Sequence, residues 1–482
     1  ILSAHLFGVA DITGVEINRI FVDLLTEHPY YAPYANLSAL PKLKLNIDDA
    51  RSWFAATDES FDLIQMSMID TWAATGAGAF SLSENGLYTL EGWRAFVARL
   101  TDQGVFTVSR WYSPGDINET GRMITLAMAV MIDQGVENPR QHIFVARARD
   151  IATLVLSKSP FSPSRLKVLT DNTERLGFKV LIAPDVEPPS EVIKQLVSAK
   201  NLDDLNQTGR QTYLDLTVPT DNRPFFFNQL RFKDVPYFLS LWYHNELAAG
   251  VVRGNLRASI ALVLILVIAF VGVVSTVLLP LRSAVKHVPS QLIRTGSLYF
   301  ALIGGGFMFA EISLLQFFSV FLGHPIYAMG ICLFSLILST GMGSLCSGRF
   351  PLHSGHRITW WGLSLGGYLL ITQWGLAQLF EATTAQALSV RVLISLAVVM
   401  PVGFLMGFAF PTGMNLVEKI NAEPTPWFWG INGATGVLAS VLAVMVSMGL
   451  GINVTMLIAA LCYLAIIPVA RALLSQSALV IK

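Results

Sequence analysis

Charge nearly disappears after Arg257. The first 257 residues hold 53 of the 66 Asp, Glu, Lys and Arg side chains, and the remaining 225 hold 13. Cysteine is scarce as well. Cys332, Cys346 and Cys462 all lie in the charge-poor half, so they carry no disulfide framework for the first half and say nothing of its compartment. The eight histidines are scattered and lack the paired cysteines of a zinc site, so no metal centre is expected. No strongly basic stretch marks a nucleic-acid surface, because the first half has 24 basic and 29 acidic residues, a net of −5, and the second a net of +5. Gly76–Gly78 lacks the lysine and helix start of a phosphate loop, and Ser81, Ser83 and Ser109 lack a nucleophile elbow.

What replaces charge is length. Ile260–Leu279 is an uncharged apolar run able to cross the roughly 30 Å hydrocarbon layer as a helix. Comparable stretches follow at about 297–321, 326–346, 358–380, 387–413, 428–449 and 452–474. Seven membrane helices are expected over 246–482, after a water-soluble domain over 1–245. Glu311 sits in the middle of one span, where an ionised carboxylate is costly unless paired or protonated. Gln316, His324, Asn415 and Asn432 are its candidate partners, and an interhelical hydrogen bond is the alternative to a transport role. Gly304–Gly306, Gly341 and Gly343 permit close helix approach. Pro401 and Pro411 predict a bent or broken helix with room for a polar cavity.

In the first half, strand-like and helix-like patterns alternate. Ile12–Ile17, Leu43–Ile47, Phe61–Met68 and Gly104–Trp111 read as buried strands, and Leu87–Leu100 as a helix. This alternation predicts an α/β fold with a parallel sheet under covering helices. His142–Arg149 and Thr153–Lys158 predict an antiparallel hairpin at the sheet edge, and Lys179–Ala183 a further edge strand. Ligands of such sheets bind beyond the carboxyl ends of the strands. Acids stand at three of those ends. Glu16 can accept both hydroxyls of a ribose, Asp48 and Asp49 can take the exocyclic amine of an adenine, and Asp70 precedes a flexible Trp-Ala-Ala-Thr-Gly-Ala-Gly loop. The competing reading is that such acids are solvated loop residues or helix N-caps.

The runs VEIN (15–18), DDAR (48–51) and FDLIQMSMID (61–70) resemble successive motifs of the spermidine synthase family. LSEN (82–85), LYT (87–89), DNRPFFFNQLR (221–231), FLGHPIYA (321–328) and WGINGA (429–434) extend the resemblance to bacterial membrane proteins that join such a domain to membrane helices. The resemblance implies a Rossmann-like fold of the class I S-adenosylmethionine-dependent transferases. It implies S-adenosylmethionine or its decarboxylated form as cofactor and a small amine as acceptor. Glu16 would hold the ribose, Asp49 with Ala50 the adenine, and Asp70 would orient or deprotonate the acceptor. Two departures stand out. Ser67 occupies the position of the family's first catalytic aspartate, and Thr71 that of the usual proline. The family's first strand and glycine-rich loop precede the position of Glu16, so the fold is expected to be N-terminally incomplete over these residues, with those parts upstream.

Phe225–Phe227, Tyr237, Phe238, Trp242 and Tyr243 read either as an aromatic collar at the bilayer surface or, for the three phenylalanines, as core. With seven spans, Arg282, Lys286, Arg294, Arg349, Arg357, Lys419, Arg471 and Lys482 fall opposite the soluble domain. The positive-inside rule then expects a multi-pass protein of a bacterial inner membrane with its soluble domain extracytoplasmic. The lipid bilayer is the expected partner, with a membrane-protein partner or a second copy of the chain as further candidates. Three functions stay open: a transferase, a degenerate scaffold or accessory subunit of a membrane complex, and a small-cation transporter.

Overall fold

The computed structural model describes residues 1–68, 82–113, 117–244 and 250–480. Among the described residues its first half contains seven strands: β1 (Ile12–Glu16), β2 (Leu43–Ile47), β3 (Phe61–Met66), β4 (Leu100–Trp111), β5 (Ile143–Ala148), β6 (Ile151–Ser157) and β7 (Lys179–Ile182). β1 and β2 pair in parallel as one sheet, and the second runs in the order β3-β4-β6-β5-β7. Only β3–β4 is parallel there; the β4–β6, β6–β5 and β5–β7 pairs are antiparallel. The sheet is therefore mixed, not parallel throughout. The β5–β6 hairpin forms as expected, but inside the sheet, with β7 at the edge beyond it. Each strand of the hairpin is paired on both sides, β6 by β4 and β5 and β5 by β6 and β7, and Leu154, Leu156, Ile143 and Val145 lie in the core.

Helices cover the sheet: α1 (Arg19–Thr26), α2 (Ala50–Ala56), α3 (Leu90–Ala98), α4 (Asn118–Asp133) and, further along, α5 (Val235–Tyr243). α1, α2 and α3 begin at Asn18, Asp49 and Thr89, whose side chains accept from backbone N–H groups in the first turn. α4 is buried along nearly its whole length and supplies Met123 to Met131 to the core. Its Arg122 guanidinium donates to the carbonyls of Phe225, Phe226 and Asn228. Burial pulls that guanidinium down to about 10, opposed by the Asp215 carboxylate. Asp215 in turn is held well below the usual range, despite its own burial, by Arg122 and Arg223.

The second half is helical: α6 (Gly250–Gly272), α7 (Ser290–Leu322), α8 (Pro325–Ser347), α9 (Gly355–Thr383), α10 (Leu388–Met406), α11 (Ala409–Glu418), α12 (Thr425–Leu450) and α13 (Ile452–Val480). Six segments among the described residues are long and apolar enough to cross a membrane: Val252–Val285, Ser290–Leu322, Pro325–Ser347, Leu388–Glu418, Thr425–Leu450 and Ile452–Ala478. The expected span at 358–380 is a helix, α9, but a more polar one with Thr372, Gln373, Gln378 and Glu381 toward its end. α7 is the central helix, packed on α8, α12 and α13. Serines of α7 and α8 return their hydroxyls to their own helix, as with Ser313 to the Phe309 carbonyl at 2.8 Å and Ser335 to Ile331 at 2.7 Å, satisfying donors where no water competes. The break predicted by proline falls at Gly407–Phe408, between α10 and α11.

The two halves share a seam. Phe225 packs with Leu262 and Met448 from the helices, while Phe226 and Phe227 are buried in the sheet half against Tyr88. All three phenylalanines are core, not collar. On α5, Phe238 is buried, whereas Tyr237, Trp242 and Tyr243 are exposed.

Candidate functional site

β1 and β2 end level with each other, because Glu16 is paired with Ile47 in the ladder. Glu16 and the Asp48–Asp49 pair therefore emerge side by side. A cavity of about 560 Å³ lies there, lined by Glu16, Asp48, Asp49, Ala50 and Ser67, with apolar walls that include Trp53, Leu63 and Met66. This volume is within the range of small-molecule sites. Three of the four expected site residues, Glu16, Asp49 and Ala50, thus line one hollow. Asp70, the expected catalytic residue, and Thr71 lie outside the described residues.

The acids differ in how far they are committed. The Glu16 carboxylate is exposed and accepts from the Asn18 backbone N–H at 2.9 Å. Asp49 is only 8% exposed, and its Oδ2 accepts from both the backbone N–H and the hydroxyl of Ser52, at 2.9 and 3.0 Å. It is the N-cap of α2, as the structural alternative held. Asp48 accepts from the Asp49 N–H at 2.8 Å, and burial pushes its carboxyl above the usual range, opposed by that bond and by Arg391.

Arg391 belongs to the membrane half. It is 1% exposed at the start of α10. Its guanidinium donates to the Ser52 hydroxyl at 2.5 Å and to the Phe321 carbonyl at 2.8 Å, and it lies 3.6 Å from Asp48. A second membrane-half residue, Gly323, lines the hollow itself. It ends α7 at φ +76°, a conformation glycine adopts without strain, and a Cβ there would collide with Asp49. The available signals were the rarity of charge in the helical half and the Leu-Gly-His sequence after a long apolar run.

Further contacts brace the sheet half and tie it to the helices. Arg51 grips Asp221 through two bonds at 2.7 and 2.5 Å, and Asp221 also accepts from the Thr89 hydroxyl. Arg223 donates to the Met448 carbonyl, and Asn222 accepts from Asn453 N. Glu84 hydrogen-bonds the Gln316 side chain, and burial raises its carboxyl above the usual range. Arg51, Glu91, Arg94, Asp221 and Gln373 line a second, interfacial cavity of about 430 Å³. Gln316 and His324 are thus engaged away from Glu311: His324 caps α8 by accepting from Ile326 N. Among the described residues Glu311 lines none of these cavities.

No family model matches the chain, and no curated protein matches it either.

Proposed function

We propose that the sheet half is a membrane-anchored, spermidine synthase-like transferase domain that binds an S-adenosylmethionine-type nucleoside in the hollow at the ends of β1 and β2. One observation carries the reading: Glu16, Asp48, Asp49 and Ala50, from successive strand ends, line a single cavity of nucleoside size. Glu16 would accept the ribose hydroxyls, and the Asp49–Ala50 turn would face the adenine. In this reading Asp70 orients the acceptor amine or takes its proton. β1 and β3 line the same hollow without pairing to each other.

α9 serves as a seventh pass: Gly355 at its start lies beside Arg471, and Glu381 near its end is 3.7 Å from Arg94 of the sheet half. With seven passes, Arg282, Lys286, Arg294, Arg349, Arg357, Lys419 and Arg471 fall opposite the sheet half, and the positive-inside rule then supports a sheet half outside the cytoplasm of a bacterial inner membrane.

Titration calorimetry of the full chain with S-adenosylmethionine and with its thioether product tests the nucleoside. Glu16→Gln is the cleaner variant, because Glu16 is exposed while Asp49 holds a helix start. Affinity should fall at least tenfold; equal affinity in wild type and variant removes the assignment.

A second reading, a degenerate scaffold within a membrane complex, draws on Ser67 in the hollow and on the commitment of Asp49 to Ser52. A serine brings no negative charge to draw a proton from an amine. Turnover of decarboxylated S-adenosylmethionine with putrescine excludes that reading; its absence, together with an extracytoplasmic sheet half by cysteine labelling, favours it.

A further inference from the structure

The interfacial cavity of about 430 Å³ is a cleft between α3 of the sheet half and α9 of the membrane half. On α3, Glu91, Ala95 and Ala98 fall in one line by their spacing of four and three, with Arg94 beside it, and all four line the cleft. Ala377 and Phe380 line it from α9. Alanines on both walls leave the room. Ala98 and Ala377 are exposed, so the cleft opens to the outside of the molecule. Its height relative to a bilayer follows from two of the apolar spans. Phe317, near the end of Ser290–Leu322, and Asn453, at the start of Ile452–Ala478, both line it. A membrane around these helices therefore changes from hydrocarbon to headgroups at the level of the cleft.

The charges in the cleft are unequally committed. Arg51 and Asp221 neutralise each other through two bonds. Arg94 gives Nε and Nη2 to Asp133 at 2.8 and 3.0 Å, which leaves Nη1 with only a 3.7 Å approach to Glu381. That glutamate side chain is 77% exposed, so solvent screens the pair. Glu91 accepts from the Asp221 N–H at 3.0 Å but makes no ion pair among the described residues. A guanidinium edge with donors to spare and an unpaired carboxyl thus stand one turn apart on α3, about 4.5 Å along its axis.

This pattern selects the ligand. A purely anionic molecule meets Glu91 and Asp221, and a purely cationic one meets Arg51 and Arg94; like charges brought together are repelled. A molecule that carries an ammonium and a phosphate joined by an ethylene link satisfies both ends. Phe317, Phe380 and Ala377 add an apolar wall that a free, water-soluble zwitterion leaves uncovered.

We infer that this cleft binds the head of an amine-bearing zwitterionic phospholipid from the adjoining leaflet, with the ammonium on Glu91, the phosphate on Arg94 Nη1 and the glycerol and upper chains against Phe317, Phe380 and Ala377. The site is independent of any nucleoside in the hollow at β1 and β2.

Native mass spectrometry of the full chain in detergent tests this with dioleoyl phosphatidylethanolamine, dioleoyl phosphatidylglycerol and glycerophosphoethanolamine. The ethanolamine lipid should be retained about tenfold more tightly than phosphatidylglycerol, which has the phosphate but no amine, as expected for one charge-assisted hydrogen bond. Glycerophosphoethanolamine, the same head without chains, should bind more weakly than the lipid by about tenfold or more, because it buries no apolar surface. Glu91→Gln removes the carboxylate and keeps an oxygen for the Asp221 N–H, and it should bring the ethanolamine lipid down to the level of phosphatidylglycerol. Ala98→Trp fills the cleft from an exposed position and should abolish retention in a protein that melts at the wild-type temperature. Equal retention of the two lipids, selectivity unchanged in Glu91→Gln, full retention by folded Ala98→Trp, or a head that binds as tightly as the lipid overturns the inference.

Discussion

At the scale of single residues, Gly323 is the most exacting position of the hollow at the ends of β1 and β2. It ends a 33-residue helix in the left-handed region and touches the acid that caps α2. An alanine there meets two penalties at once. The backbone conformation costs an L-residue about 1–2 kcal/mol, and the new methyl must displace the Asp49 side chain. Gly323→Ala should therefore lower stability by more than 2 kcal/mol in denaturant titration of the detergent-solubilised chain, a sum of those terms. Gly305→Ala is the control on the same helix, because a Cβ there meets nothing within 4 Å; it should be neutral or gain a few tenths from helix propensity. Equal effects of the two would show that the Gly323–Asp49 contact does not matter. The sequence gives the acids but not their duties. Local chemistry made Glu16 and Asp49 equivalent as strand-end carboxylates, yet one is solvated and the other is a helix cap bonded twice to Ser52. That difference arises from burial under the membrane half, which no window of residues around Asp49 contains.

At the scale of elements, α2 and α10 are bolted together through Arg391. The pair is 339 residues apart in the chain, so periodicity has no means of announcing it. By contrast, the strands were legible because alternation is local: Leu43–Ile47 forms as expected, and Ile12–Glu16 and Phe61–Met66 differ from expectation only at their ends. The hairpin was legible as a pair but not in its place, since the order of strands depends on which face is covered. α4 left no clear local signal, because a helix buried along nearly its whole length lacks the polar stripe that marks amphipathic ones. Arg391→Met should loosen α2 while sparing α4. It removes two hydrogen bonds from a charged donor, to Ser52 and Phe321, each of a kind worth about 1.5–3 kcal/mol. The 3.6 Å approach to Asp48 adds little, because that carboxylate is 41% exposed and screened. Amide hydrogen exchange checks this: residues 50–56 should exchange at least tenfold faster in the variant, and residues 118–133 at the wild-type rate. Unchanged exchange across 50–56 would mean that the bolt carries no load.

At the scale of the whole molecule, the seam between sheet and helices carries an acid poised near neutrality. Glu91, at the start of α3, accepts from the Asp221 backbone N–H at 3.0 Å and lines the interfacial cavity. Burial, then the neighbouring Asp221 carboxylate, pushes its carboxyl from the ordinary 4.5 up to about 7, against the pull of Arg51. Arg94, on the same helix, and Arg99 and Glu381 complete the ionisable lining around it. A carboxyl whose folded pKa is raised holds its proton more tightly in the folded state. Its contribution to stability is thus fully present below about 4.5 and lost as pH rises through about 7. The opposite sign belongs to Asp215, whose depressed pKa gives a contribution already complete well below this window, so it cannot mask the effect. The full chain should therefore unfold at a lower temperature at pH 8 than at pH 5.5, and Glu91→Gln, neutral at both, should flatten that difference. Because Glu91 bridges the Asp221 segment and α3 at the seam, the loss should begin there: at pH 8 the Asp221 region should become protease-sensitive before the helices do. A wild-type slope that persists undiminished in Glu91→Gln would assign the pH response to another group and leave the seam insensitive to protons.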